Sequence, residues 1–135
     1  FTASGVLFRV ICHCTICQRF NQAPYADILV LKRDSLSIDS LDSIAFDTYK
    51  PPPNVRRGVC HSCAKPALEL FEPRFLPKLA MIPGAIHRLS IDGPPAAAAH
   101  IFYDKRVADV DDSLPKYSGF FRSQMAFMRM LMRQR

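Results

Sequence analysis

The chain of 135 residues lacks both a long hydrophobic run and a dense set of cysteines. No apolar stretch approaches the roughly 18 residues that a membrane-spanning helix needs, so we expect no transmembrane segment. The first ten residues have no basic flank before an apolar core, and no signal peptide is predicted. Five cysteines are too few, and odd in number, for a disulfide scaffold. Their clustering indicates reduced, metal-binding thiols and predicts a cytoplasmic protein.

Acidic residues are absent from the last twenty positions. The formal net charge is +6, from 18 Lys and Arg against 12 Asp and Glu. Five of the basic residues lie in the last twenty, which leaves the first 115 residues with 13 bases and 12 acids, or +1. The charge predicts a near-neutral domain with a basic tail, and we do not expect nucleic acid as a partner.

Short apolar segments separated by turns predict a mainly β protein of one domain. Eleven prolines interrupt the chain, and the three at 51–53 end one apolar segment because proline cannot donate to a strand ladder. No long helical period occurs before residue 118. The predicted strands cover residues 6–11, 25–31, 35–38, 44–49, 55–59, 67–71, 79–82, 85–91 and 100–103.

Residues 118–135 differ from the rest and predict an amphipathic helix on a β domain of residues 1–117. Ser118 is the expected N-cap. The predicted apolar stripe consists of Phe121, Met125, Met128 and Met132, widened by Phe120, Phe127 and Leu131, with Ala126 on the arginine side. We expect the stripe to pack on the sheet of its own domain or on a second copy in a homodimer. The alternative is docking to a membrane surface or a protein groove.

Three cysteines lie close together in Cys12-His13-Cys14-Thr15-Ile16-Cys17, and this spacing predicts a metal site. Thiolates two or three positions apart converge on one ion where the chain turns tightly, and soft sulfur donors suit zinc. Three protein ligands leave one position for water or substrate, as in catalytic sites. Reduced cysteines without metal remain the alternative.

Cys60 and Cys63 form a second pair with the spacing of half a structural zinc site, which needs two further ligands. A redox role for this pair is disfavoured because no βαβ pattern accompanies it. His13 and His61 lie inside the cysteine segments, where we expect their side chains to point outward rather than to bind metal. His87 and His100 lie in predicted strands and are interpreted as structural.

The cysteine segments and the end of the predicted domain carry a family resemblance across residues 5–117. CHCTICQRF at 12–20 resembles the C-x-C-x-x-C-[RQ]-[RK] signature of the glutathione-dependent formaldehyde-activating enzyme family, which the centromere protein V group shares. RGVCHSCAKPAL at 57–68 resembles the family's R-x-F-C-x-x-C-G-x-x-L block. AAHIFYDKR at 98–106 and DDSLPKY at 111–117 resemble its H-I-F-x-x-x-R and D-x-L-P-x-[FY] segments.

The resemblance implies several short, coiled antiparallel β-sheets around zinc sites. It implies that Cys12, Cys14 and Cys17 hold a catalytic zinc, and that Cys60 and Cys63 share a structural zinc with an earlier C-x-C-G. The implied reaction joins formaldehyde and glutathione into S-hydroxymethylglutathione, or cleaves that product as a carbon–sulfur lyase.

The sequence departs from the family pattern before Cys12, where C-x-C-G is expected. The nearest segment is Thr2-Ala3-Ser4-Gly5, whose hydroxyls are poor zinc ligands. Either the cysteines of C-x-C-G lie upstream of Phe1 or the structural site has lost half of its ligands. Ala64 also replaces the family's glycine after the second cysteine pair.

We therefore expect a zinc enzyme that acts on thiol–aldehyde adducts, with a small thiol such as glutathione as its partner. His13 and His61 are the nearest ionisable groups to the predicted metal site. The alternatives are a non-catalytic, zinc-stabilised binding module that uses the basic helix, and a thiol carrier without turnover.

Overall fold

The computed structural model describes residues 2–3, 6–37, 44–47, 55–60, 66–71, 78–83 and 95–133 of the chain. Its strands are β1 (Thr2–Ala3), β2 (Phe8–Cys12), β3 (Ala26–Lys32), β4 (Leu36–Ser37), β5 (Ile44–Asp47), β6 (Val55–Cys60), β7 (Pro66–Phe71), β8 (Leu79–Pro83) and β9 (Ala97–Ile101). Its helices are α1 (Thr15–Asn21) and α2 (Phe120–Arg133). The prediction of a mainly β fold with a C-terminal helix is confirmed.

Seven of these strands form one sheet in the order β5-β6-β7-β8-β3-β2-β9, and β1 pairs with β4. All neighbours in the large sheet are antiparallel except β2 and β9, which run parallel. The described strands thus join into one large sheet and one short pair, where the resemblance implied several short sheets. The strand predicted at 85–91 lies outside the described residues.

The hydrophobic cluster that contains the cysteines lies on one face of the large sheet. In β2 the side chains alternate, so that Phe8, Val10 and Cys12 are buried on the same face. The central strand β3 is buried on both faces through Ile28 to Leu31, as its unbroken apolar sequence suggests. The end of β2 therefore delivers Cys12 into an apolar environment.

The helix α2 packs on the core through a face that includes two small residues and only part of the predicted stripe, namely Phe127 and Leu131. Ser123, Ala126 and Met130 are its buried residues. The Ser123 hydroxyl accepts a hydrogen bond of 2.8 Å from the Phe102 backbone N–H, which draws the helix close to the end of β9. A small side chain is needed at this close contact, and this is why Ala126 faces the sheet.

The orientation predicted for the α2 stripe is only partly correct, because Phe127 and Leu131 pack against the core whereas the four residues of the main stripe are exposed. Phe121 is 74% exposed and Met132 is 63% exposed, so these side chains face away from the sheet. The expectation that a second copy covers them remains a prediction. No helix among the described residues is long and apolar enough to cross a membrane.

The backbone before α2 is fixed by one glycine and one carboxylate. Gly119 has φ +86, a left-handed conformation that side chains other than glycine's disfavour. Its N–H donates a hydrogen bond of 2.6 Å to Asp104 Oδ1, which ties the start of the helix to the segment after β9. These contacts set the position of the helix over the sheet.

The buried face of α2 gives a stability prediction. Ala126→Leu places three extra carbon atoms against the sheet, and we expect a loss of about 1–3 kcal/mol in the free energy of unfolding. Met125 is 47% exposed, so Met125→Leu is the matched control and should change stability by less than about 0.5 kcal/mol. Denaturant unfolding measures both variants. Equal effects would contradict the helix orientation described here.

Candidate metal centre

The three clustered cysteines lie where β2 ends and α1 begins. Cys12 is the last residue of β2, Cys14 is the N-cap of α1, and Cys17 lies in its first turn. The backbone N–H of Cys17 donates to Cys14 Sγ at 3.2 Å, so the thiol takes the place of the usual serine or aspartate cap. The predicted tight turn is therefore formed by the end of β2 and the start of α1. The sequence did not predict this short helix.

Side-chain contacts hold α1 in place. Gln18 Nε2 donates to the backbone oxygens of His13, at 2.7 Å, and of Lys105, at 2.8 Å. The His13 backbone N–H donates to the Ile101 carbonyl at 3.0 Å. The cysteine segment is thus attached to the segment that follows β9, far away in sequence.

The three sulfur atoms all lie within 4.8 Å of one another, and Cys12 Sγ and Cys17 Sγ are 3.3 Å apart. In a tetrahedral zinc site with Zn–S distances of about 2.3 Å, the sulfurs are about 3.8 Å apart. Cys12 and Cys17 are buried and Cys14 is partly exposed. The donor set therefore fits a thiophilic divalent ion, with Cys14 on the accessible side.

The three thiols shift one another's pKa values. Hydrogen bonds from Cys12 and Cys17 lower the pKa of Cys14 to about 3. Hydrogen bonding to Cys14 raises the pKa of Cys12, and hydrogen bonding to Cys12 and Cys14 raises that of Cys17. Metal thiolates require all three protons to be absent, so binding of an ion displaces the protons of Cys12 and Cys17.

A cavity of about 480 Å³ opens beside the three cysteines, which form part of its wall. The sheet and α2 supply most of the remaining wall with apolar side chains. These residues are Val10, Ile28, Val55, Phe71, Leu79, Met81, Ile101, Phe102, Phe120, Phe127, Met128 and Leu131. A fourth ligand or a substrate could approach the sulfurs from this space.

An ion pair lies in the same wall. Arg57 and Glu69 are directly opposite each other in the β6–β7 pairing, with Nε and Oε1 3.5 Å apart. Their side chains are only 11% and 3% exposed. Burial raises the pKa of Glu69 to about 7, although the Arg57 guanidinium acts in the opposite direction. The sequence did not predict this pair. Its signal in the sequence is that Glu69 is a single acid between two leucines, in a strand that follows the strand of Arg57.

The histidines form a separate, buried group. His13 Nε2 and His100 Nδ1 are 2.8 Å apart, and His100 Nε2 is 2.7 Å from Asp112 Oδ2. His13 is only 1% exposed, so the expectation of an outward-pointing side chain is wrong. His100 lies between Ala99 and Ile101 in β9, and side-chain alternation places it on the opposite face from these core residues. Its predicted structural role agrees with these contacts.

The charges around this histidine group shift two pKa values. The Lys116 ammonium, with His100, lowers the pKa of Asp112 to about 2. Burial and the neighbouring His100 lower the pKa of His13. His13 is not among the residues that line the cavity. The acid–base role that its sequence position suggested remains a prediction.

The second cysteine pair is only partly within the described residues. Cys60 ends β6, with its backbone opposite Ile44 of β5, and Cys63 and His61 lie outside the described part. Whether they bind metal remains a prediction. Among the described residues, Cys12, Cys14 and Cys17 are the one group of three or more potential ligands that meet closely enough to hold an ion.

The sequence model of the glutathione-dependent formaldehyde-activating enzyme family matches residues 1–105 of the chain. The match covers both cysteine segments and most of the sheet. The chain therefore belongs to this family. A comparison with curated proteins finds no match.

Two substitutions of Cys14 separate its effect on metal binding from its effect on stability. Cys14→Ser removes a thiolate but keeps an N-cap that can accept the Cys17 N–H bond. Loss of a residue that only supports a metal ligand weakens metal affinity roughly 10–100-fold. Cys14→Ser removes a ligand itself, so we expect its affinity for zinc to fall by more than that. Cys14→Ala should lose the metal and also about 1 kcal/mol of stability relative to Cys14→Ser.

Elemental analysis, chelator competition and thermal unfolding measure these effects. Thr15→Ala is the matched control, because Thr15 is exposed in the same helix and offers no sulfur. Full metal content in Cys14→Ser would contradict the three-sulfur site.

The raised pKa of Glu69 predicts that the free energy of unfolding depends on pH. The pKa of Glu69 is raised from 4.5 to about 7 in the folded protein. The protonated carboxyl therefore makes its full contribution to the free energy of unfolding below about pH 4.5. We expect this contribution to be lost as the pH rises to about 7, by an amount on the order of 2–3 kcal/mol. Glu69→Gln should remove that slope and be the more stable protein at neutral pH.

The free energy of unfolding, measured from pH 4.5 to 8 for both proteins, checks this expectation. Asp111→Asn is the control, since Asp111 is an exposed acid. An unchanged slope in Glu69→Gln would show that the buried carboxyl is not its source.

Proposed function

We propose that this family member is a zinc-dependent enzyme that adds a thiol such as glutathione to an aldehyde such as formaldehyde, and that catalyses the reverse cleavage of the adduct. The observation that carries the proposal is the position of the three sulfurs, which lie within 4.8 Å of one another in the wall of a cavity. A structural site is closed by four protein ligands, whereas three ligands beside a cavity leave a position for substrate.

The reaction needs no oxidant or reductant. The sulfur of the thiol attacks the carbonyl carbon, so a carbon–sulfur bond forms as the carbonyl double bond becomes a single bond. The proton of the thiol ends on the carbonyl oxygen, and cleavage returns it to sulfur. The protein therefore has to bring the two reactants together and carry one proton between them.

Cys12, Cys14 and Cys17 would hold the zinc. When bound, the ion supplies positive charge that stabilises a thiolate and polarises a carbonyl. The buried positions of Cys12 and Cys17 keep two ligands out of water, and the half-buried Cys14 marks the side that faces incoming molecules.

Glu69 is the group in the cavity wall that suits proton transfer. It is buried, it lines the same cavity as the cysteines, and its pKa lies near 7. A carboxyl with this pKa can both accept and donate a proton at neutral pH. The other acid in the wall, Asp104, is exposed and accepts a hydrogen bond from Gly119. We therefore assign the proton transfer to Glu69.

The test measures how fast glutathione and formaldehyde reach equilibrium with their adduct, compared with the uncatalysed reaction. We expect acceleration by the zinc-loaded protein, its loss in Cys14→Ser, and its retention in Asp111→Asn, whose exposed side chain is not among those that line the cavity. Glu69→Gln should lower kcat by roughly 10²- to 10⁴-fold with unchanged zinc content, since general acid–base catalysis contributes that much.

An adduct that forms no faster with the zinc-loaded protein than without it would overturn the proposed enzyme. Glutathione binding without any acceleration would instead identify a thiol carrier. Neither binding nor acceleration would leave the zinc-stabilised binding module as the function to test.

A further inference from the structure

We propose that the substrate of this site carries a medium-sized apolar group, alkyl or aryl, on its reacting sulfur or carbonyl carbon, and that helix α2 forms one wall of the pocket for that group. The inference rests on the proposed function for the reacting atoms and on the cavity for the apolar group.

The size of the cavity exceeds what a one-carbon aldehyde needs. At about 480 Å³ it lies in the range of roughly 300–1,000 Å³ that takes whole organic ligands. Formaldehyde has two non-hydrogen atoms and would leave most of this space to water against apolar walls. An apolar group attached to the reactant would displace that water and gain the free energy of burial.

The chemistry of the wall matches such a group. Val10, Ile28 and Ile101 lie on the sheet side, and Phe127, Met128 and Leu131 lie on the helix side. Phe127 is held there by Phe8, with the ring centroids 5.2 Å apart in an edge-to-face arrangement. The pocket for the apolar group is therefore backed by the core of the protein.

The charges of the wall disfavour a buried peptide such as glutathione. Arg57 already faces Glu69 at 3.5 Å in a buried pair. Glutathione carries two carboxylates and an ammonium group, and an unpaired charge in an apolar cavity is costly. Asp104 and Lys105, the other charged residues of the wall, are exposed. The charged part of a thiol would therefore remain at the mouth, and the apolar part would enter.

The helix wall is outside the segment that matches the family. The match ends at residue 105, whereas Phe120, Phe127, Met128 and Leu131 all belong to α2. The helix also explains its own pattern: one side packs on the sheet, the next lines the cavity, and Phe121, Met125 and Met132 face away. The wall that α2 supplies thus lies outside the part of the chain that the family model matches, and it would contribute to the choice of substrate.

Binding of a homologous series tests the inference directly. The zinc-loaded protein is titrated calorimetrically with ethanethiol, butanethiol, hexanethiol and glutathione. Burial of each methylene should tighten binding roughly threefold to fourfold. In the second arm, kcat/KM is measured with glutathione and formaldehyde, butanal, hexanal or benzaldehyde, and should rise with the apolar group by a similar factor per carbon.

Two pairs of neighbouring residues serve as matched variants. Met128 lines the cavity and Met132, one turn away, does not; Phe120 lines it and the adjacent Phe121 does not. Met128→Gln and Phe120→Ser should each weaken hexanethiol binding at least threefold. Met132→Gln and Phe121→Ser should change it by less than twofold. All four side chains are at least 37% exposed, so these substitutions should leave the fold intact.

The outcomes are distinguishable. Length dependence in the thiol arm alone places the apolar group on sulfur, and length dependence in the aldehyde arm alone places it on the carbonyl carbon; both support the inference. Thiol binding that tightens with length, without turnover of any aldehyde, supports the pocket and overturns the proposed reaction. Turnover of formaldehyde with no length dependence in either arm, or equal effects of the paired variants, overturns the inference and leaves the reaction standing.

Discussion

The close approach of three thiols inside an apolar core is the constraint on which this structure depends. Cys12 and Cys17 are buried beside Val10 and Ile28, where an isolated thiolate would be strongly disfavoured. Cys14 is the most exposed of the three and accepts a hydrogen bond from the start of α1. A divalent ion would satisfy all three sulfurs at once, so the local fold that brings the thiols together also gives them the arrangement that a metal ion requires.

The positions of the strands and of the metal site could be read from the sequence because both depend on local patterns. Short apolar segments located β2, β3 and β6 to within about two residues, and cysteine spacing located the sulfurs. The seven-residue helix α1 was missed because its sequence is occupied by ligand residues and carries no long helical period. The parallel pairing of β2 with β9 was also beyond local patterns, since it joins segments that are far apart in the chain.

The sequence did not predict which small and polar side chains are buried. The α2 stripe was assigned from the helical spacing of its bulky apolar residues, yet the helix approaches β9 through Ser123 and Ala126. His13 was expected to point outward, yet His100 and Asp112 provide it with a buried hydrogen-bonding chain. In both cases a partner distant in sequence made the burial of a polar or small residue favourable, and no local pattern contains that partner.

The attachment of the cysteine segment to β9 has a consequence for the order in which the protein is made. His13 contacts His100, 87 residues later, and the end of β2 pairs with Ile101. During synthesis at roughly 5–20 residues per second, the three thiols emerge several seconds before the strand that completes their surroundings. In that interval they are open to oxidation and to premature capture of metal by a chain that has not yet folded. Cellular supply of reductant would therefore affect the yield of folded protein.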